Sequence, residues 1–253
     1  TRRWWRSRRH KVLLVKLTTI FFDVGGTLIH PDMDSLMAPL LERTRPGDRE
    51  LAHASFVAKR ALRCSANRAE PSTSEGLDSH AGPVNRGHWY IFFKELLDQL
   101  GESEDLLPEL VARAGVSDYW RLVDPEASAT LAHLRTKYRL GIISNADGHI
   151  ARVLERGGLA RFFDVVIDSR LAGYEKPDPR IFRAALEQIG TGAEQSLYVG
   201  DIYEIDYAGA REAGMHAVLV DPHSVYADWN VARISSLAEL PRWIDQQRIE
   251  RNG

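Results

Sequence analysis

Short apolar runs alternate with amphipathic segments along the second half of the chain. The predicted strands cover residues 140–144, 165–168, 197–201 and 217–220. Segments with apolar side chains at helical spacing cover residues 127–137, 150–156, 179–189 and 206–213, while 234–244 holds a short strand and a last helix. Strands separated by helical segments of about 10 to 15 residues are typical of a parallel sheet with right-handed crossovers. We therefore predict an α/β fold.

One further apolar run, residues 18–22, ends in Asp23 and is followed by Gly25, Gly26 and Thr27. The pattern predicts the first strand of the same sheet, with a carboxylate at its carboxyl end. Open α/β sheets bind their ligands at that end, and glycine lets a ligand approach the backbone closely. Asp23 is therefore the first candidate for a reacting group.

The segment between this strand and the alternating half of the chain has a different character. Residues 31–124 show helical periodicity without convincing alternation of strands and helices. We predict helices at 48–67, 89–100 and 104–115, with a polar loop at 69–86. The whole segment is interpreted as an inserted helical lobe. Arg86 and Lys94 are its candidates for contact with an anionic substrate.

Polar and charged side chains follow the predicted strands at the edge where parallel strands end. They are Asp23 after the first strand, Ser144 and Asn145 after the second, Lys176 beyond the third, and Asp201 and Asp206 after the fourth. Taken alone, each has an ordinary explanation, since Ser, Asn and Asp cap helices and a residue before Pro often lies in a turn. Together they supply a nucleophilic carboxylate, a hydroxyl, an ammonium and two further carboxylates. That set meets the needs of phosphoryl transfer assisted by Mg²⁺.

Composition narrows the choice of partners. The 253 residues carry a net charge of −2 and are 44% hydrophobic, so the chain as a whole does not call for nucleic acid or a membrane. Its one cysteine, Cys64, excludes an intramolecular disulfide and favours the cytoplasm. Residues 1–16 differ, because arginines interleave there with Trp4 and Trp5. Such a segment could bind an anionic surface or RNA, but we expect a disordered extension.

The polar groups after the strands resemble the four motifs of the haloacid dehalogenase-like (HAD) hydrolase superfamily. The motifs stand in order as Asp23-Val-Gly-Gly-Thr27, Ile143-Ser144-Asn145, Lys176-Pro177-Asp178 and Gly200-Asp201-Ile-Tyr-Glu-Ile-Asp206. The resemblance covers about residues 17–222. It implies a Rossmann-like parallel sheet core with helices on both faces, built from residues 17–30 and 125–253. It also implies a helical cap at 31–124 and a small phosphorylated metabolite as substrate, in a monomer or homodimer.

The resemblance assigns roles to the motif residues. Asp23 is the nucleophile, while Ser144 hydrogen-bonds the phosphoryl oxygen and Lys176 balances charge. Substrate binding falls to Gly26, Thr27, Ser144, Asn145 and Lys176. Mg²⁺ is the implied cofactor, held by Asp23, Asp201, Asp206 and the backbone carbonyl of Gly25.

Gly25 departs from the family pattern, which has a second Asp at this place to protonate the leaving group. General acid catalysis contributes roughly 10²- to 10⁴-fold in rate, so the change has consequences. Either another residue supplies the proton, with His30, His88, Asp147 and His149 as candidates, or the leaving group needs none. Aryl and acyl phosphates have leaving groups of the second kind.

Three classes of function therefore remain open. A Mg²⁺-dependent phosphatase is favoured by the nucleophile and the two metal carboxylates. A family member that has lost turnover and binds a phosphorylated ligand or a protein is favoured by Gly25 alone. A hydrolase of carbon-halogen bonds needs neither metal nor leaving-group acid, which leaves Asp201 and Asp206 without a purpose.

Overall fold

The computed structural model describes residues 17–66 and 85–249. The strands in this part of the chain are β1 (Thr19–Phe22), β2 (Ile29–Pro31), β3 (Trp120–Val123), β4 (Arg139–Ser144), β5 (Val165–Asp168), β6 (Ser196–Gly200), β7 (His216–Val220) and β8 (Arg233–Ile234). Six of them form one parallel sheet in the order β5-β4-β1-β6-β7-β8. The α/β fold with a parallel sheet is confirmed.

The α-helices of the described residues include counterparts of those that the sequence predicts, together with short helices that it does not predict. They are α1 (Met33–Leu36), α2 (Ala38–Thr44), α3 (Asp48–Ala66), α4 (Asn85–Leu100), α5 (Leu107–Ala114), α6 (Ala127–Arg135), α7 (Ile150–Arg156), α8 (Ser169–Ala172), α9 (Pro179–Ile189), α10 (Gly209–Glu212) and α11 (Leu240–Ile249). One predicted helix differs in kind. Residues 206–213 were expected to form an α-helix, but Tyr203–Ala208 is a π-helix and only α10 continues it.

Successive residues of β1 point to opposite faces of the sheet, as the two-residue period of a strand requires. Phe22 packs in one core cluster with Leu131 of α6, and Phe21 packs in another with Phe182 of α9. Helices therefore cover both faces. β1 is buried at all four positions, which explains why residues 20–22 are all apolar and do not alternate with polar ones.

The sheet order brings the predicted site residues to one edge. β1 lies between β4 and β6, and Phe22 is paired with Ile142 on one side and with Val199 on the other. Asp23 therefore leaves the sheet between the ends of β4 and β6, and the strand order continues to β5 on one side of β1 and to β7 on the other. Such a switch in strand order is the usual ligand position in open α/β sheets.

A two-stranded antiparallel ribbon of β2 and β3 flanks the helical insertion. The helical periodicity of residues 31–124 gives no indication of the strand at Trp120–Val123. These four residues are half-buried or exposed and do not alternate between apolar and polar, so the sequence carries no strand pattern there. The partner strand, β2, lies about ninety positions earlier in the sequence.

Along the chain, helices α1 to α5 come between β2 and β3. α3, α4 and α5 pack together through buried apolar side chains, among them Ala58, Phe93 and Leu110. The predicted helices at 48–67 and 89–100 correspond to α3 and α4, and the predicted helix at 104–115 is a 3₁₀ turn at Glu104–Leu106 followed by α5. An inserted helical region is thus confirmed.

Two expectations concern residues outside the described ranges. They are the N-terminal extension at 1–16 and most of the polar loop at 69–86, of which residues 85 and 86 belong to α4. Among the described residues, the helices are too short or too polar to cross a membrane.

Candidate active site

Asp23 begins the loop that follows β1. It is buried, and its backbone N–H donates to the carbonyl of Val199 on β6 over 2.8 Å. The loop then turns sharply at Gly26, where φ is +78°. A Cβ atom at Gly26 would lie 2.4 Å from Oδ2 of Asp201, so only glycine leaves room for this carboxylate. The turn thereby brings the first and fourth motifs into contact.

Lys176 links the nucleophile candidate to the fourth motif. Its ammonium is almost completely buried and donates to Oδ1 of Asp23 over 2.8 Å and to Oδ1 of Asp206 over 2.7 Å. Burial opposes the charge, but the two carboxylates outweigh it and raise the pKa of Lys176. The side chain is therefore a fixed cation between two anions.

Two other side chains hold Lys176 in place. The Tyr198 hydroxyl accepts from the Lys176 ammonium over 2.9 Å and donates to the carbonyl of Ile143 over 2.9 Å. The Asn145 amide pairs with the Lys176 backbone, donating to its carbonyl over 2.9 Å and accepting from its N–H over 2.8 Å. Asn145 thus positions Lys176, and it also lines the cleft, so its predicted contact with substrate stays a prediction.

Asp206 is buried in the π-helix, and hydrogen bonds reach both oxygens of its carboxylate. Oδ1 accepts from Lys176, and Oδ2 accepts from the backbone N–H groups of Asp201 over 3.1 Å and Ile202 over 2.9 Å. Gly200 makes this approach possible, because a Cβ there would lie 2.4 Å from Cγ of Asp206. Asp206 therefore fixes the loop that carries Asp201.

The Asp201 carboxylate differs from that of Asp206 in its hydrogen bonding. Its Oδ1 is buried and has no hydrogen-bond partner among the described residues. Burial, Asp206 and Asp23 all raise the pKa of Asp201 well above the ordinary value. Burial also raises the pKa of Asp23, to about 6, although Lys176 opposes the shift. Oxygen atoms of Asp23, Asp201 and Asp206 lie within 4.8 Å of one another, close enough for a single cation to lie among the three carboxylates.

A cleft of about 740 Å³ opens at this edge of the sheet between the core and the helical insertion. The predicted site residues that line it are Asp23, Gly25, Gly26, Ser144, Asn145, Lys176, Asp201 and Asp206. Thr27 does not line the cleft and is 1% exposed. Its hydroxyl has no hydrogen-bond partner among the described residues.

The candidate proton donors have different surroundings. His30 lines the cleft and pairs with Asp124 over 3.2 Å, and His88 lies 3.9 Å from the carboxylate of Glu204. Asp147 also lines the cleft, but hydrogen bonds from Ser117 outweigh its burial and lower its pKa, which favours the ionised form that has no proton to give. His149 does not line the cleft.

Several residues that line the cleft were not predicted from the sequence, and two of them bear on the chemistry. Lys59 of α3 lines the cleft, and burial lowers its pKa while the Asp201 carboxylate opposes the shift. The sequence feature that indicates this position is the four-residue spacing from Ser55, which also lines the cleft, because this spacing places both residues on one face of the helix. Lys94, which the sequence suggested instead, forms ion pairs with Asp98 and Glu104 outside the cleft. The side chain of Arg86 is outside the described part of the chain.

Trp120 is the second missed residue, and it occupies the place beside Gly25. A Cβ at Gly25 would lie 2.8 Å from Cζ3 of the Trp120 ring and 3.1 Å from Cη2. The indole Nε1 donates to the carbonyl of Ala114 over 3.0 Å, which fixes the ring. The first motif therefore has no acid at position 25, and an aromatic ring from β3 fills the space beside it.

Comparison with known proteins identifies the class to which this fold and this carboxylate site belong. A family model described as haloacid dehalogenase-like hydrolase matches residues 17–214. The chain belongs to this family.

Several relatives are similar over parts of their length. Haloacid dehalogenase-like hydrolase domain-containing protein 3 of Bos taurus is 31% identical over 67% of this chain and 70% of its own. A phosphoserine phosphatase of Thermus thermophilus is 37% identical over 58% of each chain. A glyceraldehyde 3-phosphate phosphatase of Methanothermobacter thermautotrophicus is 42% identical over 41% of this chain and 47% of its own. This chain therefore spans less than two thirds of both named phosphatases.

Solved structures share the fold at low identity. A HAD hydrolase of Bacillus subtilis bound to magnesium has a TM-score of 0.63 at 20% identity, covering 90% of this chain and 98% of that one. An L-2-haloacid dehalogenase of Xanthobacter autotrophicus has a TM-score of 0.53 at 20% identity, with the same coverage. A HAD hydrolase bound to magnesium and a dehalogenase share this fold, so the fold alone does not decide which bond this chain hydrolyses.

Proposed function

We propose that this chain is a Mg²⁺-dependent phosphatase that hydrolyses a small phosphorylated metabolite through a phosphoaspartate on Asp23. The observation that carries the proposal is the buried carboxylate cluster. Oδ1 of Asp201 is buried without a hydrogen-bond partner in the described part of the chain, beside Asp23 and Asp206. A buried carboxylate in this state is costly unless a cation pairs with it. Two relatives named as phosphatases add support.

The donor atoms fit a hard cation. Mg²⁺ prefers oxygen ligands and keeps several waters. Asp23, Asp201 and the carbonyl of Gly25 would hold it, and Asp206, whose oxygens already accept hydrogen bonds, would keep Asp201 in place. When bound, Mg²⁺ neutralises negative charge on the phosphoryl oxygens.

The chain's own residues account for the remaining requirements of the reaction. A carboxylate oxygen of Asp23 attacks phosphorus, and the bond from phosphorus to the leaving-group oxygen breaks. The ammonium of Lys176 and the hydroxyl of Ser144 stabilise charge on the equatorial oxygens, and Gly26 lines the cleft beside them. Water then attacks phosphorus, releases inorganic phosphate and restores the carboxylate. We propose that the helical segment 31–124 acts as a cap that limits water in the cleft.

Phosphate release from aryl, acyl and sugar phosphates, with and without Mg²⁺, tests this function. Wild type is compared with Asp23→Asn and with Asp34→Asn, an exposed carboxylate on α1 that serves as the matched control. We expect metal-dependent release in wild type and the control, and a loss of at least about a thousandfold in Asp23→Asn, because the nucleophile is gone. Melting curves show that each variant is folded.

Two other outcomes would replace the proposal. The ring of Trp120 beside Gly25 specifically favours a binding protein without turnover, because it fills the place of the usual acid. Mg²⁺ binding to a folded protein that releases no phosphate from any substrate would support that function. Halide release from a 2-haloacid without metal would support a dehalogenase.

A further inference from the structure

The ring of Trp120 excludes a side chain at position 25. The distance of 2.8 Å from a Cβ at Gly25 to the ring is closer than carbon atoms pack, and the bond from Nε1 to Ala114 keeps the ring from withdrawing. An Asp at position 25 and this placement of Trp120 are therefore incompatible. The site has an aromatic surface at the point where the family pattern has a proton donor.

Trp120 is part of a larger aromatic group, which we call the aromatic wall and define as Trp89, Phe92 and Trp120. All three line the cleft. Trp89 contacts Trp120 edge to face at 5.8 Å between ring centroids and contacts Phe92 at 5.6 Å. Trp89 also stacks on the fully buried Phe93 at 5.6 Å and 28°, which anchors the wall in the helical insertion.

The lining of the cleft is divided between the two parts of the chain. The loops after the core strands supply Asp23, Lys176, Asp201 and Asp206, whereas the aromatic wall comes from α4 and β3. A phosphoryl group would bind in the part of the cleft that the charged side chains line. The rest of the substrate, which includes the leaving group, then meets the wall. A planar apolar group packs well on such a surface, while a polyhydroxylated chain would lose hydrogen bonds to water there.

We propose that the natural substrate is an aryl phosphate monoester whose ring packs on the aromatic wall and whose oxygen leaves without being protonated. The inference rests on the proposed phosphatase function and deepens it. The Asp23 oxygen forms a bond to phosphorus, and the electron pair of the broken bond leaves on the aryl oxygen as a phenolate, which takes its proton from solvent afterwards. Phenolates are stable enough to leave in this way, whereas alkoxides are not.

A leaving-group series tests the chemistry. The kcat/KM is measured with Mg²⁺ for substituted phenyl phosphates of rising phenol pKa and for cyclohexyl phosphate, which matches phenyl in size. We expect a steep fall with rising pKa and at least about a hundredfold lower value for cyclohexyl phosphate, since no acid assists departure. Equal rates across the phenyl series, or good turnover of alkyl or sugar phosphates, would overturn the inference while leaving the phosphatase function intact. Absence of release from every substrate would instead overturn the phosphatase function itself.

Variants of the wall test its contact with the leaving group. Trp120→Ala and Trp89→Leu are each expected to raise the KM for 2-naphthyl phosphate by about tenfold, the size of a lost aromatic contact. The KM for acetyl phosphate, which has a good leaving group but no ring, should rise much less, so the ratio of the two KM values measures the contact with the ring. The KM of Trp120→Phe for 2-naphthyl phosphate should stay close to that of wild type, because phenylalanine keeps an aromatic ring at this place. Tyr90→Ala, on α4 but outside the cleft, is the matched control.

The outcome is informative even where one variant fails to fold. Trp89→Leu carries the test if Trp120→Ala is unfolded, because the two residues belong to different elements. A KM increase that is the same for acetyl and naphthyl phosphate would show a general disturbance of the site and would overturn the packing of the ring on the wall.

The pair of positions 25 and 120 gives a second, independent test. Gly25→Asp alone should not gain turnover of cyclohexyl phosphate, since the ring blocks the new carboxyl group. Gly25→Asp combined with Trp120→Gly should gain about a hundredfold or more over Trp120→Gly alone. Equal gains with and without the Trp120 ring would show that the ring does not exclude the acid, against the inference.

Discussion

The ammonium of Lys176 donates to Oδ1 of Asp23 over 2.8 Å, although the two residues are 153 positions apart. The same ammonium reaches Asp206, so one buried cation separates two buried anions. Removing one partner of a buried charge group leaves the other charges without compensation. This relationship makes Lys176 a structural as well as a chemical part of the site.

We expect Lys176→Met to lower the free energy of unfolding of the metal-free protein by about 3 to 5 kcal/mol, because two carboxylates then lack their cation. Urea denaturation at neutral pH measures the effect. Lys94→Met is the control, since Lys94 pairs with Asp98 and Glu104 at the surface, and we expect no measurable change there. A Lys176→Met protein as stable as the control would show that the buried pair contributes little.

Gly200→Ala should disturb the loop that carries Asp201. The added Cβ would lie 2.4 Å from Cγ of Asp206, so Asp206 must move away from the backbone N–H groups that it accepts from. We expect a loss of about 1 to 3 kcal/mol in stability from overpacking and a clear loss of Mg²⁺ affinity. Thermal unfolding and titration calorimetry measure the two effects.

Gly47→Ala is the matched control for that substitution, because nothing lies within 4 Å of a Cβ at Gly47. Its stability and Mg²⁺ affinity should equal those of wild type. If Gly200→Ala behaves in the same way as this control, Asp206 does not need its close approach to the backbone.

Asp201→Asn should have opposite effects with and without Mg²⁺. Without the metal, the substitution removes a buried negative charge beside Asp23 and Asp206, so the melting temperature should rise. With Mg²⁺ at about 100 times its Kd, wild type gains about 2.7 kcal/mol by linkage, and the variant should lose most of this gain. Melting curves with EDTA and with a series of Mg²⁺ concentrations measure both effects.

Asp118→Asn, a carboxylate at the surface, is the comparison for Asp201→Asn and should keep the full Mg²⁺ response. An unchanged Mg²⁺ response in Asp201→Asn would place the metal elsewhere.

Asp32 should contribute stability that depends on pH in the acid range. Hydrogen bonding to Arg121, with help from Ser35, lowers the pKa of Asp32 from 3.8 to about 2. A carboxylate with a lowered pKa stabilises the fold above its unfolded value, and the contribution is lost as the pH falls from about 4 towards 2. The difference in melting temperature between wild type and Asp32→Asn should therefore shrink over this range.

Arg121→Met provides a second measurement of the same pair, because it removes the larger cause of the shift. Its difference from wild type should shrink over the same pH range. A difference that stays constant down to pH 2.5 in both variants would contradict the role of the pair.

The sequence by itself determined the parallel sheet and which residues stand at its binding edge. Buried strands such as β1 and β6 are short and mostly apolar, and helices such as α9 have apolar side chains at helical spacing, so the signal is local. Since parallel strands end at one edge, Asp23, Ser144 and Asp201 could be placed together without the structure. Their catalytic roles stay predictions.

Only the tertiary structure decided what stands beside these residues. The strand at Trp120–Val123 has no period of its own, and the ring of Trp120 reaches Gly25 across 95 positions of sequence. Asn145 turned out to hold the Lys176 backbone, and Lys59 rather than Lys94 lines the cleft. Each of these contacts depends on how the helical insertion and the loops pack on the sheet. Periodicity reports which side of an element is buried, whereas the partner across the interface is set by packing between distant segments.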